Sequence, residues 1–217
     1  MDDGDRTMDA PDADDALSDA VDGVRRLIEL TVTADAPPDA IATAQQHIAQ
    51  ALAALEPFRQ DRRRWGEPRA TPDPADLMPF DPVVGRLSPL APPLRVRWEP
   101  PRAVGEVTFT PPYEGPVGCV HGGMIAAAFD QVFNVANVML GNPGPTASLI
   151  FHYRLPTPLG VPLRFEGWQE RLEGRRIHLR GRLLAGDRVT VEAEGVFVVL
   201  PVERILAMIG PDPDPDR

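Results

Sequence analysis

The sequence predicts an α+β domain preceded by a helical extension, and three observations carry that prediction. Residues 121–140 (HGGMIAAAFDQVFNVANVML) form one stretch that is apolar nearly all round. Runs that alternate in the strand period lie on both sides of it, two before and four after. Residues 16–58 carry helical stripes and no strand pattern. A helix that is apolar on every side needs cover on most of them, and a long antiparallel sheet wrapped round it supplies that cover.

Taken in order, residues 1–15 are rich in Asp, with too few apolar groups to bury anything, and are expected to be disordered. Leu17, Val21, Val24, Leu27, Ile28 and Leu30 fall at mostly helical spacing within 16–31. The prolines of ADAPPDA then break the chain, and a second helix is expected over 39–58. Asp39 is its expected N-cap, and Ile41, Ala44, Ile48, Ala51, Leu52 and Leu55 form its stripe. The basic RQDRRRW that follows suits a helix C-terminus. Residues 66–93 read as a linker or irregular wrap, dense in Pro, Asp and Gly. Strands are expected at 94–99 and 105–110, a loop at 111–120, then the apolar helix, ended by Gly141-Asn142-Pro143-Gly144-Pro145. Four long strands follow at 146–155, 162–173, 176–185 and 188–200, with hairpin turns at Gly174-Arg175 and Gly186-Asp187. The implied organisation is a tail over 1–15, a helical extension over 16–65, a linker over 66–84, one domain over 85–203 and a tail over 204–217.

Composition narrows the function classes. The net charge of −10 argues against nucleic acid held through its phosphates. All basic charge is arginine. The single cysteine, Cys119, permits no intrachain disulfide and fits a reducing, cytoplasmic setting. The acidic N-terminus has no apolar signal region, and no run is long enough to span a membrane. The four histidines show no metal spacing, so no metal and no cofactor are expected.

The chemistry concentrates in Tyr113-Glu114-Gly115-Pro116-Val117-Gly118-Cys119-Val120-His121-Gly122-Gly123 and the later Asp130. A helix that opens on two glycines offers bare backbone N–H groups at its positive end, so an acyl carbonyl can sit against them. A carboxylate on a mostly buried helix is costly unless it is used or paired. Asp130 could serve as nucleophile or as general base, or could be paired with an arginine. Gly122 and Asp130 are eight residues apart, which on one helix is about 12 Å of rise. If both act on one carbonyl, they come from two subunits.

These residues resemble the hotdog-fold thioesterases of the PaaI type, within the 4-hydroxybenzoyl-CoA thioesterase superfamily, nearest the carboxyl-terminal modulator protein branch. His-Gly-Gly followed by an acidic residue nine positions after the histidine is the shared signature. Thr146-Ala147-Ser148-Leu149 and Tyr153-Arg154-Leu155-Pro156 look like the next strand of that family. The resemblance covers about residues 85–203. It implies a hotdog fold, hydrolysis of an acyl-CoA thioester and a homodimer or tetramer with shared sites. It also implies an orienting role for His121 and a place for Thr146 beside the attacking water. One departure is Gly115, where many relatives carry Asn or Gln.

Blander expectations stand beside these. Cys119 reads as a small buried residue, and His47, His152 and His178 as exposed residues without a role. Arg154, Arg175 and Arg176 could meet coenzyme A phosphates, with solvated surface arginines as the simpler reading. Phe129 and Phe133 are expected to line an acyl pocket. Two other functional classes remain: a non-catalytic acyl-CoA-binding hotdog protein, and an enoyl-CoA hydratase, whose loop signature is absent here.

Overall fold

The computed structural model describes residues 13–59, 78–201 and Arg204. Helix α1 spans Ala13–Thr33 and helix α2 spans Pro38–Leu55. Helix α1 therefore begins inside the segment expected as an acidic tail; the rest of that tail, the 66–77 part of the linker and the C-terminal tail beyond Arg204 lie outside the described residues. Asp39 does not cap α2. Pro37 is the N-cap, with a proline opening the helix and Asp39 in its first turn. Proline suits that position because its missing N–H would be unpaired there anyway.

Strands β1 (Arg95–Glu99) and β2 (Arg102–Thr108) precede helix α3 (Gly122–Met139). Strands β3 (Thr146–Tyr153), β4 (Pro162–Glu173), β5 (Arg176–Ala185) and β6 (Arg188–Val198) follow it. All six join one antiparallel sheet in the order β1-β2-β4-β5-β6-β3. Strand β3 returns past the whole meander to pair only with β6, leaving its outer side an open edge. The two expected hairpins are present, with Gly174 and Gly186 at φ +60° and +59°. Such left-handed backbone at the first turn position matches the twist of the flanking strands.

Helix α3 lies on one face of the sheet with Ile125, Phe129, Val132, Phe133 and Ala136 buried against it. Three strand glycines make this close approach possible. A Cβ on Gly167, Gly181 or Gly195 would come within 2.8–2.9 Å of the Phe129, Val132 or Phe133 side chains. Phe129 stacks edge-on to Phe165 at 4.9 Å, and Phe133 to Phe197 at 6.4 Å. The opposite face is charged. Arg97 pairs with Glu106 at 2.8 Å, Arg164 with Glu99 at 2.9 Å and Arg182 with Glu166 at 2.8 Å.

The irregular segment before β1 packs from Met78 onward. Val84, Leu87, Ala91 and Leu94 are buried, and Met78 and Val83 lie against the core. The sequence boundary at residue 85 thus falls inside a packed wrap. Asp81 holds the wrap's turn, accepting from the Val83 and Val84 N–H groups at 2.8 and 3.0 Å. Helix α1 docks on the wrap by burying Val21 and by aiming Arg25 at three carbonyls. Arg25 Nη2 donates to the oxygens of Gly85, Arg86 and Ser88 at 3.2, 3.1 and 2.8 Å. Helix α2 buries none of its side chains within this chain.

Candidate active site

The loop before α3 is shaped by its own backbone. Gly115 N–H donates to the Cys119 carbonyl at 2.9 Å, and Gly118, at φ +73°, donates to Glu114 Oε1 at 2.6 Å. His121 N–H donates to the Tyr113 carbonyl at 2.9 Å. The departure at Gly115 has a local cause, since a Cβ there would stand 2.9 Å from the His121 Cα. An Asn or Gln would displace the histidine backbone. Cys119 is half-buried and bridges to Pro158, away from any Cys-His partnership.

His121 is the N-cap of α3. Its Nδ1 accepts from the Gly123 N–H at 3.0 Å, which fixes the ring against the helix start. That bond uses one of the two donors expected for substrate. The Gly122 N–H is the other, and it has no partner among the described residues. It stands at the positive end of an eighteen-residue helix.

Asp130 sits two turns further along α3, half-buried. Thr146, the first residue of β3, donates its hydroxyl to Asp130 Oδ1 at 2.6 Å. No arginine pairs with Asp130 among the described residues. The structure therefore joins Asp130 to Thr146 and His121 to Gly123. It leaves Gly122 and Asp130 on separate turns of one helix, as the spacing requires.

Sequence reasoning missed Tyr153. From the end of β3 its hydroxyl donates to the Gly122 carbonyl at 2.9 Å, and its ring lies against the Gly122 Cα. Burial raises its phenol above the ordinary range, so it stays a donor in neutral solution. A tyrosine on an alternating strand, 31 residues beyond its partner, carries no motif that could have flagged it.

The expectations for Phe129, Phe133 and His178 are corrected. Phe129 and Phe133 have 0% exposure and form the helix–sheet core instead of an open pocket. His178 is half-buried, with Nε2 3.5 Å from Glu173, while His47 and His152 are exposed. Arg154 Nε donates to Glu192 at 2.8 Å. Among the described residues no group of three or more His, Cys, Asp or Glu could hold a metal ion, and no helix is long and apolar enough to cross a membrane.

A family profile described as Thioesterase superfamily matches residues 117–193, from the loop before α3 into β6. The crystal structure of a thioesterase superfamily protein is 31% identical, with a TM-score of 0.74, covering 84% of this chain and 94% of that one. The chain belongs to the thioesterase superfamily. A second relative is the acyl-coenzyme A thioesterase THEM4 of Xenopus laevis, 34% identical over 92 residues. That match spans 41% of this chain and 41% of the curated relative's length. A thioesterase superfamily protein from Shewanella loihica PV-4 is 24% identical, with a TM-score of 0.44, covering 50% of this chain and 91% of that one.

Proposed function

We propose that this protein hydrolyses an acyl-CoA thioester to a free carboxylic acid and CoA, as a homodimer or tetramer with sites shared between protomers. The observation that carries this is the Thr146–Asp130 pair at 2.6 Å, an ionisable carboxylate with a hydroxyl partner and no counter-charge among the described residues.

The substrate carbonyl would lie at the α3 N-terminus of one protomer and accept from the Gly122 N–H. Asp130 of the other protomer would act there, with Thr146 holding the carboxylate and the attacking water. In either role open to Asp130, a C–O bond forms, the C–S bond breaks and the CoA sulfur leaves with a proton from water. Gly123 and His121 keep the helix start in shape, since the Gly123 N–H is already used by His121. Arg154 is engaged by Glu192, so a CoA phosphate would have to compete with a carboxylate for it. The open edge of β3, with Ile150 and Tyr153 each 53% exposed, is the surface this assembly would use. The unpaired Cys119 supports a cytoplasmic placement.

The experiment is thiol release measured across short, medium, long and aromatic acyl-CoAs. Turnover with at least one class is expected. Binding of every ester with release from none would favour an acyl-CoA-binding protein instead.

A further inference from the structure

We infer that Tyr153 is a positioning residue for the carbonyl site, holding the Gly122–Gly123 peptide by its oxygen while His121 holds the same peptide by its N–H. The inference rests on the thioesterase reading of this site.

A peptide unit has two polar groups, and here side chains take both. The oxygen accepts from the Tyr153 hydroxyl at 2.9 Å, and the nitrogen donates to His121 Nδ1 at 3.0 Å. The two side chains come from different elements, the end of β3 and the N-cap of α3. Between them they fix a stretch that its sequence alone would leave loose. Two successive glycines at a helix start have the widest backbone freedom of any residue pair, and the N–H groups of the first turn have no intrahelical partner. The free donor, Gly122 N–H, belongs to the peptide just before the clamped one. Its direction is set by the Gly122 dihedrals once the following peptide is pinned.

Tyr153 is itself firmly placed. It pairs with Val191 of β6, and the next two N–H groups, of Arg154 and Leu155, donate to the Thr190 carbonyl at 2.8 and 3.1 Å. Its ring also walls one side of Gly122, where a Cβ would stand 3.1 Å from the tyrosine hydroxyl. The glycine is therefore bare toward substrate and covered toward β3. Strand β3 thus supports both half-sites that its protomer contributes, Asp130 through Thr146 and Gly122 through Tyr153.

Tyr153→Phe keeps the ring and removes the hydroxyl. The side chain is half-exposed, so the change should leave folding intact, as judged by melting. Loss of an entire oxyanion donor lowers kcat by about 10²–10³-fold, and misdirecting one should lower it less, by about tenfold. The expected result is that fall in kcat with KM within about twofold, since ground-state binding is kept. Because Tyr153 and His121 act on one peptide, Tyr153→Phe with His121→Ala should fall no further than the worse single variant. If the wild type releases thiol while Tyr153→Phe keeps its kcat, or the two effects multiply, the inference is overturned and the thioesterase reading stands. If the wild type releases thiol from no ester, that reading falls and takes the inference with it.

Discussion

The Thr146 hydroxyl donates to Asp130 Oδ1 at 2.6 Å, tying the first residue of an edge strand to the middle of the buried helix. That distance lies at the short end for a hydroxyl donating to a carboxyl oxygen. It occupies one oxygen of Asp130 and leaves Oδ2 for water or substrate.

Thr146→Val should lower kcat about ten- to hundredfold, the size expected for one hydrogen bond to a charged group, whereas Thr146→Ser should keep most activity. Steady-state kinetics on the best acyl-CoA substrate decide between them. Equal activity in all three proteins would mean that Thr146 only opens the strand.

Asp130→Asn should lower the rate by at least about 10²-fold. Asparagine can still accept from Thr146, so the melting temperature should stay close to wild type. Near-full activity in this variant would remove Asp130 from the mechanism.

Mixing two inactive proteins should restore activity. Gly122→Val would drive a side chain against Tyr153, because even a Cβ there stands 3.1 Å from its hydroxyl. Refolded together with Asp130→Asn, it should give heterodimers in which one of the two shared sites is intact. No recovery in verified heterodimers would place a complete site in each chain.

A chain beginning at Asp76 should keep its activity per folded molecule but melt lower. It lacks Arg25 and the three carbonyl bonds that Arg25 makes to the wrap. Arg25→Ala in the full chain should reproduce much of that loss, about 1–3 kcal/mol in urea unfolding. A folded but inactive truncation would put the N-terminal helices in the site.

The charged face of the sheet should make stability fall in acid. Burial opposes ionisation of Glu166, and Arg182 and Arg164 overcome it, holding the carboxyl below the usual glutamate range. A depressed value in the folded state means that its contribution is complete above the unfolded value of about 4.3 and is lost as pH falls below it. Glu166→Gln should be less stable at neutral pH and show a flatter loss between about pH 5 and 3 in urea titrations. An unchanged profile would assign acid unfolding to other carboxylates.

The order of elements was legible because each carries its own period: alternation in β4–β6, an unbroken apolar run in α3, and glycines at the hairpins. The His121–Asp130 spacing was legible because a helix turns spacing into distance. What escaped depends on long-range neighbours. Phe129 and Phe133 read as pocket lining, and only the facing glycines of β4, β5 and β6 show them as core, by letting the helix close down until both rings are covered. Residues 66–93 read as a linker or irregular wrap, because their prolines and aspartates mask Val84, Leu87 and Ala91, which have no period. Tyr153 and Arg25 work through backbone carbonyls, which have no sequence signature.

The sealed seam between α3 and the sheet has a consequence for substrate choice. With both phenylalanine rings wedged over glycine, neither is left exposed to line a pocket. In the shared-site assembly proposed above, the acyl chain of the substrate would lie along the outside of α3, between subunits. The ruler for chain length would then be written in residues that also set how the subunits meet, so a change that retunes one would perturb the other.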